Sequence, residues 1–232
     1  MSQSRQTAES IRSDFDRIAL LSDETWNHNA HYHSYLMSRI PVRCRRILEI
    51  GCGTGEFSRL LAARAEKVLA LDLSQQMIRL ARERSQLYPN IDFVEGDAMT
   101  YQFPDNHFDC IATLTTIHHL PFEAILRKIR NALKPGGVFV CLDLYQRSDL
   151  TDLLFDGVAY PAGLFLQLIK TGKPRPPREV REAYAEHGKT DTYPTLQQIR
   201  EICAAILPGA LVSRHLLWRY SIIWTKETEG QM

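Results

Sequence analysis

The segment LEIGCGTGEFS, residues 48–58, is the most informative part of the sequence, because it joins an apolar strand to a helix through three closely spaced glycines. Gly51, Gly53 and Gly55 let the backbone turn sharply and approach a ligand closely. The exposed N–H groups at the start of the following helix favour an anionic group. The stretch therefore predicts a cofactor-binding loop between the first strand of a sheet and its first crossover helix.

The spacing of this loop separates two kinds of cofactor. A dinucleotide requires GxGxxG with a small third residue, and here that position holds Glu56, so the dinucleotide pattern fails. Glu49 lies inside the strand just before the loop, where a carboxylate is costly to bury without a partner. Such a carboxylate suits a cationic group, for example the α-ammonium of an amino-acid ligand.

Outward from this loop, short apolar runs alternate with helical patterns, which predicts a doubly wound α/β fold with a parallel sheet covered on both faces. Two N-terminal helices are expected within residues 8–40, the second over 27–39, and a late helix over 195–207. Residues 210–218 and 219–225 predict an antiparallel hairpin. The expected core strands cover 47–50, 68–71, 91–97, 108–115 and 138–144, and the expected core helices cover 57–65, 75–85 and 122–133.

We expect a single domain in four parts: an N-terminal helical cap (1–40), a cofactor-binding core (41–147), a substrate-lid insertion (148–190), and a C-terminal helix with the hairpin (191–227). The insertion is predicted to hold a helical segment and a proline-rich basic loop around 170–181. LKPGG (133–137) is interpreted as a helix stop and turn. Asp109 is interpreted as a structural group at the start of its strand.

Composition narrows the function classes. The chain has 232 residues and a formal net charge of +1, so overall charge selects neither nucleic acid nor an acidic surface as a partner. The N-terminus has no signal-peptide pattern, and no apolar run approaches membrane-spanning length, which favours a cytoplasmic protein. The five cysteines have no CxxC spacing, so the sequence predicts no metal site.

Acidic residues follow the next two strands, where the carboxyl ends of a parallel sheet form one crevice. Asp72 is placed to accept hydrogen bonds from two ribose hydroxyls. Asp97 and the N–H of Ala98 are placed to meet an adenine ring. Leu73 and Met77 are predicted to supply apolar walls for that ring.

These motifs resemble those of the class I S-adenosylmethionine (SAM)-dependent methyltransferases: LEIGCGTG, the acid in LALDLS, EGDA, FDCIATLTTIHHL and LKPGG, in order over residues 46–144. The chain is most similar to the small-molecule group that includes the ubiquinone and menaquinone methyltransferases. The resemblance implies a seven-stranded Rossmann-like sheet with the last strand antiparallel, and SAM as cofactor. It implies SAM contacts at Glu49, Gly51, Gly53, Asp72, Asp97, Ala98 and Thr113, beside which the loop residues Cys52 and Gly55 are predicted contacts.

The acceptor side carries weaker signals. His118, after the fourth strand, is the candidate general base for an acceptor that bears a proton, and the alternative is a structural histidine that holds a loop. Tyr32, His119 and Tyr145 are candidate acceptor contacts, with core packing as the alternative.

A small-molecule acceptor is expected because TLTTIHH lacks the [ND]-P-P-[YF] motif of enzymes that methylate exocyclic amino groups. The basic loop at 170–181 keeps an RNA- or protein-modifying methyltransferase as an alternative. A SAM-binding protein without catalysis is the other alternative, and the oligomeric state is not predicted.

Overall fold

The computed structural model describes residues 7–21, 28–146, 161, 163–172, 175, 177–189 and 191–228. Its helices are α1 (Ala8–Leu21), α2 (His33–Met37), α3 (Glu56–Ala62), α4 (Gln75–Arg84), α5 (Phe122–Ala132), α6 (163–171), α7 (Arg178–His187) and α8 (Leu196–Ile206). Its strands are β1 (Cys44–Ile50), β2 (Ala65–Asp72), β3 (Ile91–Glu95), β4 (Phe108–Leu114), β5 (Leu133–Leu144), β6 (Leu211–His215) and β7 (Arg219–Thr225). Single 3-10 turns cover Ala30–Tyr32 and Ile117–His119.

The seven strands form one sheet in the order β3-β2-β1-β4-β5-β7-β6. Strands β1 to β5 pair in parallel, whereas β7 runs antiparallel to both β5 and β6. The chain winds from β1 outward to β3, then returns to start β4 on the other side of β1. This reversal opens a crevice at the carboxyl ends of β1 and β4, which is where open α/β sheets bind ligands.

Helices cover both faces of the sheet because successive side chains of each central strand point to opposite faces. In β1, Leu48 packs with Ile129 of α5 and Ile199 of α8. Its neighbour Ile47 packs on the other face with Leu61 of α3. The predicted pattern of nearly continuous apolar strands is therefore explained by two-sided burial.

The predicted seven-stranded sheet with the last strand antiparallel is confirmed, and most elements lie within a few residues of their predicted bounds. The second N-terminal helix is shorter than predicted, because it comprises one 3-10 turn and the five residues of α2. LKPGG was wrongly interpreted as a turn: it forms the start of β5, where Gly136 has a φ of +77° and its N–H donates to the Lys226 carbonyl.

Two further predictions concern single segments. Asp109 is structural as predicted, since its carboxylate accepts the backbone N–H groups of Arg45 and Arg46 and pairs with Lys134. The predicted lid insertion contains α6 and α7, and α7 begins at Arg178, inside the expected basic loop. Residues 148–160, also assigned to that insertion, lie outside the described residues.

Among the described helices, none combines the length and the apolar character needed to cross a lipid bilayer.

Candidate cofactor and acceptor site

The glycine loop is held against the sheet by its own backbone. Gly51, Gly53 and Gly55 all have positive φ values, between +52° and +78°. The N–H groups of Gly51 and Cys52 both donate to the carbonyl of Leu71 at the end of β2, at 2.8 and 3.0 Å. These bonds fix the loop at the carboxyl edge of β1 and β2.

Gly51 is enclosed by the side chain of Thr116, which lies two residues after the end of β4. A Cβ added at Gly51 would lie 2.0 Å from Oγ1 of Thr116, which no side chain can tolerate. At Gly53 the same addition would meet no described atom within 4 Å, so this backbone faces open space. The loop therefore packs tightly on one side and presents an uncovered backbone on the other, as a ligand cradle requires.

Glu49 is a fully buried carboxyl group directly behind the loop. The hydroxyl of Ser58 in α3 donates to its Oε2. Burial raises the pKa of Glu49 from 4.5 to about 8, and nearby Asp72 adds to the rise while Ser58 and Arg59 oppose it. A carboxylate that is unfavourable when alone is favourable beside an ammonium group, which agrees with the predicted partner.

Asp72 ends β2 and faces the glycine loop. Its Oδ2 accepts the N–H of Gly53 at 2.8 Å, and its Oδ1 accepts the N–H of Ser74 at 2.9 Å. Burial raises the pKa of Asp72, although both amide donors act against the rise and Asp16 adds to it. Each oxygen keeps further lone pairs, so the carboxylate can still accept ribose hydroxyls.

Asp97 and Ala98 begin the turn after β3. Oδ1 of Asp97 accepts the N–H of Met99 at 2.8 Å, which orients the carboxylate. Lys128 of α5 donates to the carbonyls of Ala98, Met99 and Tyr101, and so ties this turn to the helix below the sheet. These hydrogen bonds hold the turn in place, and none of them involves the N–H group of Ala98, which is predicted to meet adenine.

Three other predicted cofactor contacts, Leu73, Met77 and Thr113, differ in burial and in packing. Leu73 is half-buried beside Asp72. Met77 is buried and packs with Ile18 of α1. Thr113 is buried in β4, and its Oγ1 has no hydrogen-bond partner among the described residues.

Helix α1 packs against the start of α4, close to Asp72. Oδ1 of Asp16 accepts both the Ser74 hydroxyl and the Gln76 N–H at the start of α4. A carboxylate at a helix N-terminus is favourable because it satisfies free N–H groups and the helix dipole. The predicted N-terminal cap therefore contacts the core close to Asp72.

His118 is fixed by a buried acid that the sequence reasoning missed. Asp143 in β5 is fully buried, and its carboxylate accepts both the backbone N–H of His118 and its ring Nδ1–H, the latter at 2.6 Å. An acid inside the apolar run CLDL was the available signal, of the same kind as Glu49 in LEI. The pairing leaves Nε2 of His118 as the unprotonated ring nitrogen.

His119 lies in the same buried cluster. Its Nδ1 is 3.5 Å from Oδ1 of Asp191, and its Nε2 is 3.4 Å from Nε2 of His187 in α7. Burial lowers the pKa of His119 to about 2, and the charges of His118 and His187 act in the same direction. His119 is therefore neutral and contacts protein groups on both of its nitrogens.

Tyr32 supports the turn between β6 and β7. Its hydroxyl donates to the Leu216 carbonyl at 2.6 Å, and the Arg219 guanidinium donates to the next carbonyl, that of Leu217. Leu217 and Trp218 both have φ near +60°, a conformation that bulky residues rarely adopt. Strain of this kind persists only where surrounding contacts impose it, and it is concentrated at functional sites.

Asn29 links the N-terminal segment to both sides of the acceptor region. Its amide donates to Oγ1 of Thr115, and its side-chain oxygen accepts a hydrogen bond from Nε–H of Arg219. Thr115 directly follows β4 and has a φ of +48°. Burial lowers the pKa of Arg219 to about 10. Sequence reasoning missed Asn29 and Arg219 because no local pattern marks either residue.

A cavity of about 450 Å³ opens at the carboxyl end of β5, and it is lined by Leu144, Tyr145, Gln146, Tyr193 and Trp218. Tyr145 was predicted to contact the acceptor and lies in this wall. Tyr32 and His119 are not among the lining residues.

The sheet order, the glycine loop and the acids at successive strand ends define a nucleoside-cofactor protein of the Rossmann-like type. A family profile described as "Methyltransferase domain" matches residues 47–137. An uncharacterized methyltransferase of Mycobacterium tuberculosis (strain ATCC 25618 / H37Rv) is 28% identical over 87% of this chain and 98% of its own length. A demethylmenaquinone methyltransferase of Lysinibacillus sphaericus (strain C3-41) is 32% identical over 44% of this chain and 45% of its own length.

Solved structures agree in fold. The N-methyltransferase NodS of Bradyrhizobium japonicum WM9, solved with S-adenosyl-L-homocysteine, has a TM-score of 0.64 at 15% identity, over 93% of this chain and 97% of that chain. Residues 47–137 thus carry a methyltransferase domain of the class I, SAM-dependent type, with SAM as its cofactor.

Proposed function

We propose that this methyltransferase transfers the methyl group of SAM to a small molecule bound in the cavity beside Tyr145, Tyr193 and Trp218. The observation that carries the proposal is the position of this cavity. It opens at the end of β5, next to β4, and Thr116, two residues after the end of β4, packs against Gly51 of the glycine loop. The glycine loop and the cavity thus lie at the same edge of the sheet, at the carboxyl ends of its parallel strands.

On this proposal the methionyl carboxylate of SAM meets the N–H groups of the loop Gly51–Cys52–Gly53–Gly55, and its ammonium meets Glu49. The ribose hydroxyls donate to Asp72, and the adenine lies at Asp97 and Ala98 with Leu73 and Met77 nearby. Thr113 stands at the strand end beneath the methionyl part. Each group matches the charge or hydrogen-bonding need of its partner.

The chemistry needs little from the protein besides alignment. An acceptor atom forms a bond to the methyl carbon as the carbon–sulfur bond breaks, and neutral S-adenosylhomocysteine leaves. Holding the acceptor in line with that bond, away from water, supplies most of the acceleration. If the acceptor bears a proton, His118 is the proposed base, since Asp143 fixes its Nδ1 and leaves Nε2 basic.

A small acceptor with an apolar body is favoured because three aromatic side chains line the cavity, and aromatic rings bind flat or apolar groups. The relative from Lysinibacillus sphaericus, a demethylmenaquinone methyltransferase by name, is consistent with such an acceptor.

The test pairs binding with turnover. SAM and S-adenosylhomocysteine are titrated by calorimetry, and formation of S-adenosylhomocysteine is then followed with a panel of hydroxyl, carboxyl and amine acceptors on apolar bodies. We expect Trp218→Ala to raise KM for the acceptor at least ~10-fold with SAM affinity unchanged, as loss of a buried aromatic contact requires. Turnover only with RNA or protein substrates would contradict the small-molecule proposal.

A further inference from the structure

Asp191 is a buried acid surrounded by histidines, with its side chain only 3% exposed. Its carboxylate oxygens lie 4.0 Å from Nε2 of His118, 3.5 Å from Nδ1 of His119 and 3.7 Å from Nε2 of His187. The hydroxyl of Tyr193 donates to Oδ2 at 2.8 Å. Oδ1 has no hydrogen-bond partner among the described residues.

If all three imidazoles are neutral, the hydrogen bonds around this cluster assign the proton of each ring to one nitrogen. Nδ1 of His118 donates to the Asp143 carboxylate, so its Nε2 presents a lone pair toward Asp191. Nδ1 of His187 donates to Asp14 at 2.9 Å, so its Nε2 is the acceptor in the 3.4 Å contact with His119.

His119 therefore donates through Nε2 to His187, and its Nδ1 presents a lone pair toward Oδ1 of Asp191. Two imidazole lone pairs and a carboxylate thus converge with no proton between them. Such a convergence of buried acceptors is unfavourable unless a cation lies at its centre.

We propose that His118, His119 and Asp191 form a binding site for a divalent transition-metal ion of the zinc type, ligated by Nε2 of His118, Nδ1 of His119 and the Asp191 carboxylate. One ligand atom from each of the three residues lies within 4.8 Å of those of the other two. Tetrahedral ligands at about 2.0–2.1 Å from a zinc ion are about 3.3–3.4 Å apart, so the ligand atoms, which all lie within 4.8 Å of one another, approach by up to about 1.5 Å when the ion binds.

The groups behind the ligands match those of known metal centres. A ligating histidine usually donates its second nitrogen to a carboxylate or another acceptor, which fixes its orientation and increases its basicity. Here Asp143 serves His118, and the His187–Asp14 pair serves His119. Two imidazoles and one carboxylate favour zinc or a similar ion over magnesium or calcium.

The site leaves one coordination position for water or another small ligand, as sites with three protein ligands do. It lies one side chain from the proposed acceptor cavity, because Tyr193 both bonds to Asp191 and lines that cavity. Bound metal would tie residues 191–193 to the end of β4. It would also occupy Nε2 of His118, which excludes a general-base role for that histidine while metal is bound.

The test uses the full chain, stripped of metal with a chelator, dialysed and titrated with Co²⁺ and Zn²⁺ by calorimetry and by Co²⁺ visible absorption. We expect one ion per chain with a spectrum of nitrogen and oxygen ligands. Asp191→Ala and His119→Gln should each weaken binding by more than 10-fold, and Asp143→Asn by about 10–100-fold, as loss of a supporting acid does elsewhere.

His107→Gln is the matched control, because His107 precedes β4 at the opposite edge of the sheet and should leave metal affinity unchanged. Circular dichroism of each metal-free variant separates lost binding from lost folding. Absence of saturable binding, equal affinity in folded Asp191→Ala and His119→Gln, or cobalt spectra of thiolate ligation from the five buried cysteines would overturn the proposal. SAM affinity, measured in parallel, reports separately on the proposed function.

Discussion

The cofactor half of this site comprises the glycine loop with Glu49, Asp72 and Asp97, and the acceptor half comprises the cluster around His118 and the β6–β7 turn. The two halves are built in different ways. In the cofactor half, interacting groups are close in sequence: 2 residues separate Met99 from Asp97, 9 separate Ser58 from Glu49, and 19 separate Gly53 from Asp72. In the acceptor half, 173 residues separate His187 from Asp14 and 190 separate Arg219 from Asn29.

The two halves should therefore respond to different substitutions. The cofactor half depends on one loop conformation and on two or three carboxyl groups that the local strand–loop–helix unit already positions. The acceptor half requires α1, the Ala30–Tyr32 turn, α7 and the β6–β7 turn to pack on the sheet together, so it responds to changes far from the reacting atoms.

The largest effect is expected in the acceptor half, at His118. If this residue takes a proton, His118→Ala slows turnover by ~10²–10⁴-fold, since general-base catalysis contributes about that much. SAM affinity should remain unchanged, because no cofactor contact is predicted for His118. Steady-state kinetics of the metal-free enzyme, with calorimetry, measures both; full activity there would assign His118 a structural role and weaken the distinction between the halves.

The next effect concerns Glu49 and depends on pH. Its folded pKa of about 8 lies above the ordinary 4.5, so the folded cofactor-free protein binds the proton more tightly than the unfolded chain. Stability from this group is therefore complete below pH 4.5 and is lost as pH rises toward 8. Glu49→Gln should stabilise the cofactor-free protein at pH 8 by at most ~4 kcal/mol and hardly at pH 5.

The same substitution should weaken SAM binding, because glutamine cannot neutralise the ammonium group. Thermal unfolding at both pH values, with and without SAM, measures the two effects. Equal stabilisation at pH 5 and pH 8 would show that Glu49 is not protonated in the folded protein.

Gly51→Ala tests the loop conformation itself. The new methyl group would overlap Thr116, and the positive φ is unfavourable for alanine, so we expect destabilisation by ~2–4 kcal/mol with loss of SAM binding. Gly53→Ala is the control, since its methyl group meets open space among the described residues. Equal stability of the two variants would contradict the tight packing at Gly51.

Asp72→Asn should weaken SAM binding by ~1–3 kcal/mol, through loss of charge-assisted hydrogen bonds to the ribose. Asp92→Asn is its matched control, because Asp92 is an exposed acid on neighbouring β3 that pairs with Lys67 at the surface. Calorimetric titration of both variants with SAM measures the difference in affinity. Unchanged affinity in Asp72→Asn would remove this residue from the cofactor site.

The smallest effect is expected for Tyr32→Phe, which removes one hydrogen bond to the Leu216 carbonyl. We expect a loss of ~1 kcal/mol in stability, with a small rise in acceptor KM if the β6–β7 turn shifts Trp218. Denaturant unfolding and kinetics measure these changes. A change in SAM affinity instead would link the two halves more tightly than their contacts indicate.

The fold could be predicted well from the sequence because apolar strands, crossover helices and the glycine loop each have local signatures. LKPGG was misread since its proline and glycines look like a turn, whereas pairing of Gly136 and Gly137 with Lys226 extends β5 through them. The second N-terminal helix was overextended because periodicity alone does not locate a helix end.

Local sequence patterns were enough to predict the methyltransferase class, the cofactor and the candidate residues at the strand ends, because those groups are spaced by the strand–loop–helix units that contain them. Long-range packing sets the partners of His118 and His119, the strained turn at Trp218 and the convergence on Asp191. Those contacts join residues far apart along the chain, and no local propensity encodes a distance that arises only when distant elements pack together.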